Sequence, residues 1–341
     1  MSLNSQAVAI GESIERHLDL MRQGVERAGC YDQVSNILDG VPTKTAHVDE
    51  HYRADIVSGL VDLAIRRLWH RSKVVYAIHP AMVKELAETG AEELPGMIFD
   101  TLPHQNPLVI LPEPLRIELE NGNQGRLLGF FVYGSFNTPT KRRVCGTHDE
   151  RRENLSLMFI TEDPSVTVDG TFDHVFTKLT IPVSREQFSV DDAVQTTLEA
   201  FLLGLGNYAT REQQEKWLGQ LIRIALNILI YLCTEQPDVR TVSRASKKKP
   251  AGKPNTKSKP SRMIQVGWSL GPTLEKARRV YESQRSSGTG QRSVKPHQRR
   301  AHYHTYWTGK GRTTPKVKFI KPFWVNLSAG ETADYTVIPV H

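Results

Sequence analysis

One segment of the chain, residues 211–235, is apolar around so much of its circumference that it has to be buried as a helix. Thr210 with Gln213 forms a helix-start pattern, and apolar residues then recur in steps of three and four. They are Trp217, Leu218, Leu221, Ile222, Ala225, Ile228, Leu229 and Leu232, with Ile224, Ile230 and Tyr231 widening the stripe. Because such a helix must be covered on several sides, we expect it to be the central element of a helical layer.

Three strand-like segments, residues 126–136, 155–162 and 174–182, follow one another with no helical pattern between them. Parallel strands need a long crossover, usually a helix, whereas antiparallel strands can be joined by loops. The three segments therefore predict an antiparallel meander. Leu108–Leu111 lies among the five prolines of residues 95–114, which predicts a short edge strand.

Helical patterns are concentrated near the N-terminus. Residues 5–28 have one apolar face, and a second helix is predicted from about residue 50 to 71. Val74–Ile78 is a strand candidate, and Pro80 suits the first turn of the helix that follows. Ser189, with Asp192 three residues later, begins another helix. These patterns predict an α+β protein with a helical N-terminal layer, an antiparallel sheet and a long buried helix.

The charge of the chain is divided unevenly along its length. Residues 240–330 contain 22 Lys and Arg but two acidic residues, whereas the other residues contain 22 basic and 35 acidic ones. Residues 241–262 are mainly Ser, Lys, Pro and Thr, which favours disorder. We therefore predict an α+β body at 1–240, a disordered basic linker at 241–262, and a basic module at 263–341 packed on the body. So concentrated a positive charge predicts a polyanionic neighbour, RNA or a ribosome surface.

The segment Lys295–Asn326 combines histidines, aromatic residues and cations. On a strand, His302, His304 and Tyr306 would share one face, and Tyr303, Thr305 and Trp307 the other. A turn at Gly309–Gly311 then leads into a second alternating run, which predicts a basic C-terminal β-hairpin with a polar face. The candidate peptide- or RNA-binding residues are His297, Arg299, Arg300, His302, Tyr303, His304, Tyr306 and Trp307.

Three interpretations of this hairpin are open from its residues. His297, His302 and His304 could serve a ribonuclease as metal ligands or as acid and base. No acidic residue occurs between Glu282 and Glu331, however, to complete a ligand set or orient an imidazole. The hairpin could instead be a recognition surface for RNA bases or an extended peptide, or its aromatics could simply pack inward.

Other candidate sites are weaker, and we predict no catalytic and no metal-binding residue. His47 and His51 are four residues apart, but no third ligand is identified beside them. Cys145 precedes His148 and Asp149 in a long polar segment that offers no group to orient a nucleophile and a base. No cofactor is expected.

The remaining sequence features indicate the cellular compartment in which the protein is expected. Three widely spaced cysteines, Cys30, Cys145 and Cys233, argue against a disulfide framework and fit a reducing cytoplasm. The N-terminal residues show no secretion signal, and the most apolar segment, residues 221–233, is too short to span a bilayer. We expect a cytoplasmic protein without a membrane partner.

The C-terminal residues also resemble a known family. RRAHYHTYWTG at 299–309, followed by PFWVN at 322–326, is similar to the C-terminal signature of the second type V-A anti-CRISPR family and its plasmid-borne homologues. Weaker similarities are YLCTEQPDV at 231–239, VGWSLG at 266–271 and RRVY at 278–281, where Arg278 and Arg279 are expected to face outward. Ala301 stands where that family usually has glycine, and Tyr303 where it has tryptophan.

The resemblance implies a function. Members of that family recognise the nascent N-terminal polypeptide of the type V-A CRISPR effector nuclease, and the translated mRNA is then lost. The implied protein is not itself an enzyme, acts in the bacterial cytoplasm, and has a nascent polypeptide, a translating ribosome or mRNA as partner rather than a small-molecule substrate. The alternatives are a plasmid-encoded nucleic-acid-binding regulator and, third, a histidine-dependent ribonuclease.

Overall fold

A computed structural model describes residues 3–27, 61, 64–90, 93–119, 122–134, 152–168, 171–202, 211–242, 262–286 and 297–325. Its helices are α1 (Leu3–Arg27), α2 (Pro80–Glu88), α3 (Val190–Leu202), α4 (Arg211–Leu232) and α5 (Gly271–Ser286), with helical residues at 64–72 and a 3-10 helix at Gly96–Thr101. The strands are β1 (Val74–Ile78), β2 (Leu108–Glu118), β3 (Gln124–Gly134), β4 (Arg152–Val168), β5 (Thr171–Ser184), β6 (Val239–Thr241), β7 (Arg262–Val266), β8 (His297–Arg299), β9 (His302–Thr308), β10 (Thr314–Ile320) and β11 (Phe323–Val325).

The α+β class predicted from the sequence is confirmed, as is the meander β3–β4–β5. The main sheet has the strand order β5-β4-β3-β2-β1-β7-β6 among the described residues. It is mixed rather than wholly antiparallel, because β1 pairs in parallel with both β2 and β7. Helix α2 lies in the connection between β1 and β2, which is the crossover that a parallel pair requires.

The prediction of an edge strand at Leu108–Leu111 was wrong. Strand β2 is central, with β1 on one side and β3 on the other. The prolines are accommodated because the pairing of β2 with β3 shifts between Ile110 and Leu115, where Pro112 and Pro114 lie. A proline in an interior strand is tolerated at such an interruption, since no ladder hydrogen bond is lost there.

Both faces of the sheet are covered. Along β1, Val74, Tyr76 and Ile78 pack in the larger core with α2, α3 and α4, whereas Val75 and Ala77 pack in a second core with α1 and residues 64–72. Helix α4 is buried along its length in the larger core, as its sequence predicts. No helix in the described part of the chain has the length and apolar character needed to cross a membrane.

The chain on both sides of residues 243–261, which lie outside the described residues, belongs to the same sheet. Thr241 is in β6, and the N–H of Val242 donates to the carbonyl of Met263 at 3.0 Å, so the sheet includes the first two residues of the predicted linker. Strand β7 then lies between β1 and β6. Farther along, Tyr303 and Val317 are buried in the larger core. Tyr303 and Val317 thereby pack their part of the chain, residues 297–325, against the body.

Candidate functional site

Residues 297–325 form a single bent two-stranded hairpin, which we call the C-terminal ribbon. Strands β9 and β10 pair antiparallel from Thr308–Thr314 back to His302–Ile320, and β8 and β11 continue the pairing from Arg299–Phe323 to His297–Val325. The bend between the two halves is at residues 300–301 and 321–322. The hairpin predicted from the sequence is thus confirmed.

The turn of the ribbon, residues 309–313, is compact because three of its residues have left-handed backbone conformations. Gly309 and Gly311 have φ angles of 82° and 79°, and Arg312 has a φ of 52°. Glycine adopts this region without the steric cost that a Cβ brings. The N–H of Arg312 donates to the carbonyl of Gly309 at 3.0 Å. The turn therefore holds the side chains of Lys310 and Arg312 in an exposed position at the end of the ribbon.

Tyr303 fixes the ribbon to the body, and its prediction as a binding residue was wrong. Its side chain is 0% exposed, and its hydroxyl donates to the main-chain carbonyl of Asn227 in α4 at 2.7 Å. Its ring contacts Phe319, which in turn contacts Tyr231. Burial raises the pKa of Tyr303 well above its usual range, so the hydroxyl stays a donor. The ring cannot reach a partner on the protein surface because the core encloses it.

The other candidate residues lie toward the surface to different degrees. Arg300 and His304 are exposed, Trp307 is 45% exposed, and His302 and Tyr306 are half-buried. Trp307 shares its face with Tyr303, but the core that covers Tyr303 leaves much of the indole uncovered. The structure describes β8 by its backbone pairing, and the side chains of His297 and Arg299 lie outside the described part.

Sequence reasoning missed the lysine that completes the outer face. Lys318 lies opposite His304 across the ribbon, and its ammonium group is 5.0 Å from the centre of the Tyr306 ring. Counting back from a turn at Gly309–Gly311 would pair His304 with Lys316 instead, and the longer observed turn, residues 309–313, moves the pairing to Lys318. The outer face therefore combines an imidazole, a phenol and an ammonium group.

A buried carboxylate holds the bend of the ribbon. Glu85 of α2 is 8% exposed, and its Oε1 accepts the N–H of Ala301 at 3.4 Å. Arg278 lies 3.6 Å from Glu85 and 3.7 Å from Glu88, so this arginine is half-buried between two carboxylates and the prediction that it faces outward was wrong. Burial raises the pKa of Glu85, and the Ala301 N–H and Arg278 oppose that rise.

Glu85→Gln is expected to make folding stability less dependent on pH. Because the folded carboxyl has a raised pKa, its stabilising contribution is full below the ordinary value of 4.5 and is lost as the pH rises through the raised value. Glutamine keeps an acceptor for the Ala301 N–H. Urea midpoints measured from about pH 4 to pH 7 should show the wild type losing stability relative to the variant. A relative gain by the wild type would mean that attraction to Arg278 outweighs burial.

The two long edges of the ribbon differ. On the β10 side, the N–H of Glu235 donates to the carbonyl of Val317 at 3.0 Å, and Lys316 forms an ion pair with Glu235 at 2.6 Å. On the β9 side, the single bridge in the described structure joins His302 to Gly90. From Tyr303 to Thr308, β9 has no strand partner other than β10 among the described residues. Tyr303 is buried, whereas His304–Thr308 are exposed or half-buried, so among the described residues the outer main-chain edge of β9 is open from His304 to Thr308.

The remaining sequence candidates lie outside the described residues, namely His47, His51, Cys145, His148 and Asp149. Within the described part, no three side chains of His, Cys, Asp or Glu are grouped so that they could hold a metal ion.

Comparison with known proteins identifies a family whose matched region includes the C-terminal ribbon. No curated protein matches the chain. One similar solved structure is the crystal structure of AcrVA2, with 19% sequence identity, a TM-score of 0.49, and coverage of 92% of this chain and 99% of that chain. The model of the AcrVA2-like family matches residues 76–327, from β1 through the end of the ribbon. Because this match spans well over half of the sequence, the chain belongs to the anti-CRISPR type V subtype A2 family.

Proposed function

We propose that this anti-CRISPR protein recognises the nascent N-terminal polypeptide of the type V-A CRISPR effector nuclease, and that recognition leads to loss of the mRNA being translated. The protein binds the peptide and catalyses no step itself. The family membership supports the choice of target. The observation that supports the binding mode is the open edge of β9.

An open strand edge suits a nascent chain for a physical reason. A polypeptide leaving the ribosome has not folded, so what it offers a partner is an extended backbone with side chains on alternating sides. Strand addition to an exposed edge satisfies the main-chain N–H and C=O groups of both partners. The open edge from His304 to Thr308 has the length of a typical strand.

Side chains beside this edge supply the selectivity. His304 is exposed and Tyr306 is half-buried on the outer face of β9, and Arg300 is exposed at the bend that precedes the open edge. Imidazole, phenol and guanidinium groups together can bind carbonyl, carboxylate and aromatic groups of a peptide. Tyr303 and Glu85 hold this surface in position from beneath.

The experiment separates recognition of the peptide from recognition of its message. A bacterial cell-free translation extract is supplied with the protein and with reporter messages that begin with the opening codons of the effector nuclease. One message is native, one is recoded with synonymous codons, and one is frame-shifted so that the RNA is nearly unchanged but the peptide is different. We expect loss of the first two messages and survival of the third.

Two outcomes contradict the proposal. Loss that follows the nucleotide sequence, with the frame-shifted message destroyed and the recoded one spared, would make the RNA the recognised molecule. Cleavage of a labelled transcript by the purified protein without ribosomes would make the protein a ribonuclease. The same incubation with and without a divalent cation tests whether such cleavage depends on a metal.

A further inference from the structure

The C-terminal ribbon has positive charges that the protein itself does not neutralise. Residues 297–325 contain seven Lys and Arg and no acidic residue. Five of these cations are exposed and form no ion pair within the described residues: Arg300, Lys310, Arg312, Lys318 and Lys321. Lys316 differs, because Glu235 of the body pairs with it.

Several surface cations of the body are instead neutralised by acidic neighbours. Arg185 pairs with Asp100 at 2.6 Å, Arg211 with Glu215 at 2.7 Å, and Lys216 with Glu118. Such ion pairs reduce the positive electrostatic potential around each cation. The unpaired cations of the ribbon keep a positive potential at its surface. Five cations on one narrow hairpin are the arrangement expected of a surface whose neutralising partner is another molecule.

The end of the ribbon adds an aromatic surface to this charge. Trp307 is 45% exposed and lies two residues before the turn that presents Lys310 and Arg312. Its neighbour across the ribbon is Pro315, which leaves the indole without an aromatic partner from the opposite strand. Proteins that bind single-stranded nucleic acids combine exposed aromatic rings with cations in this way. The bases stack on the ring, and the phosphates lie against the positive charges.

We infer that the end of the ribbon binds single-stranded RNA, with Lys310 and Arg312 contacting phosphates and Trp307 stacking on an unpaired base. A paired base is enclosed in its duplex and cannot stack on a protein ring, and unpaired bases in a cell belong overwhelmingly to RNA. This contact uses the side chains of Trp307, Lys310 and Arg312 rather than the main-chain edge of β9. It is therefore a second interaction, distinct from the proposed peptide recognition.

The test measures affinity of the full-length protein for a fluorescent, unstructured RNA of about ten nucleotides, over a range of salt concentrations. Lys310→Gln/Arg312→Gln is expected to weaken binding about tenfold and to lower the slope of log affinity against log salt by about 1.4, since each phosphate contact contributes about 0.7. Trp307→Ala is expected to weaken binding about tenfold with the slope unchanged, and Trp307→Phe to restore most of the affinity.

The control removes the same charge elsewhere. Arg16 of α1 and Arg116 of β2 are exposed cations of the body, and Arg16→Gln/Arg116→Gln should leave RNA affinity within about twofold of wild type. Equal losses in the control and the turn variant would overturn the inference, because binding would then follow total charge. Tighter binding of duplex RNA or of the matching DNA strand would overturn it too, as would equal binding of polyglutamate.

The outcome of this RNA-binding test can be distinguished from the outcome of the translation experiment that tests the proposed function. RNA affinity is measured here without ribosomes, whereas the translation experiment depends on the peptide sequence. Loss of RNA binding in the turn variant with peptide-dependent message loss intact at high protein concentration would support two separate contacts. RNA binding without any peptide dependence would support this inference while contradicting the proposed function.

Discussion

Replacing Tyr303 by alanine is expected to lower the free energy of unfolding by about 3–5 kcal/mol, the usual cost of removing a large buried aromatic side chain. The ring is fully buried against Phe319 and within the same core as α4, so the truncation leaves a cavity that the neighbours fill only in part. Urea unfolding, followed by tryptophan fluorescence or circular dichroism, measures the change.

The hydroxyl and the ring of Tyr303 can be separated by a second substitution. Tyr303→Phe keeps the ring but removes the donor to the Asn227 carbonyl, which should cost about 1 kcal/mol. His304→Ala is the matched control, because His304 is the exposed neighbour on the same strand and should change stability by less than about 0.5 kcal/mol. A Tyr303→Ala protein as stable as the His304→Ala protein would mean that the ribbon is not built onto the core through this residue.

Arg299→Ala/Arg300→Ala is expected to abolish peptide-dependent message loss while leaving the melting temperature nearly unchanged. Arg300 is exposed at the bend, before the start of the open β9 edge, and its planar guanidinium is suited to peptide carbonyls and carboxylates. The cell-free assay gives the activity, and a thermal melt gives the stability. Arg300 is exposed and forms no ion pair within the described residues, and removal of such a surface cation rarely affects folding by more than a fraction of a kcal/mol.

The matched control again changes the charge by the same amount on the body. Arg16→Ala/Arg116→Ala should retain message loss, which would tie the activity to the position of the arginines rather than to net charge. A large fall in melting temperature of the ribbon variant would instead assign the paired arginines to the fold. Full activity of that variant would remove them from the binding surface.

The elements that could be predicted are those whose pattern is local. The stripe on α4, the meander β3–β5 and the hairpin at the C-terminus follow from periodicities of 3.6 and 2 together with the turn residues. The position of β2 could not be predicted, because its prolines are acceptable only at a shift in the pairing with β3, a strand beyond it in sequence. The parallel pairing of β1 with β7 joins residues almost two hundred positions apart, and no local signal marks it.

In the candidate site, too, local patterns could be predicted from the sequence, whereas contacts with distant residues could not. Alternation along β9 predicts that Tyr303 and His304 have opposite surroundings, but not which of them faces the core. Tyr303 faces the core because it packs around α4 and donates to the Asn227 carbonyl. These partners are distant in sequence, so the sequence of the strand does not reveal them. The role of Glu85 could not be predicted either, since a glutamate on a short helix gives no sign that it accepts a hydrogen bond from Ala301, far away in sequence.

The most direct test of the central claim is to capture translating ribosomes through the full-length protein and to sequence the messages attached to them. If the open edge of β9 binds a nascent chain, the captured messages should be dominated by the transcript of the type V-A effector nuclease, with ribosomes positioned after the N-terminal segment has emerged. The Arg299→Ala/Arg300→Ala protein should lose this enrichment. A uniform spread of captured messages across the transcriptome, the same for both proteins, would contradict recognition of a nascent polypeptide.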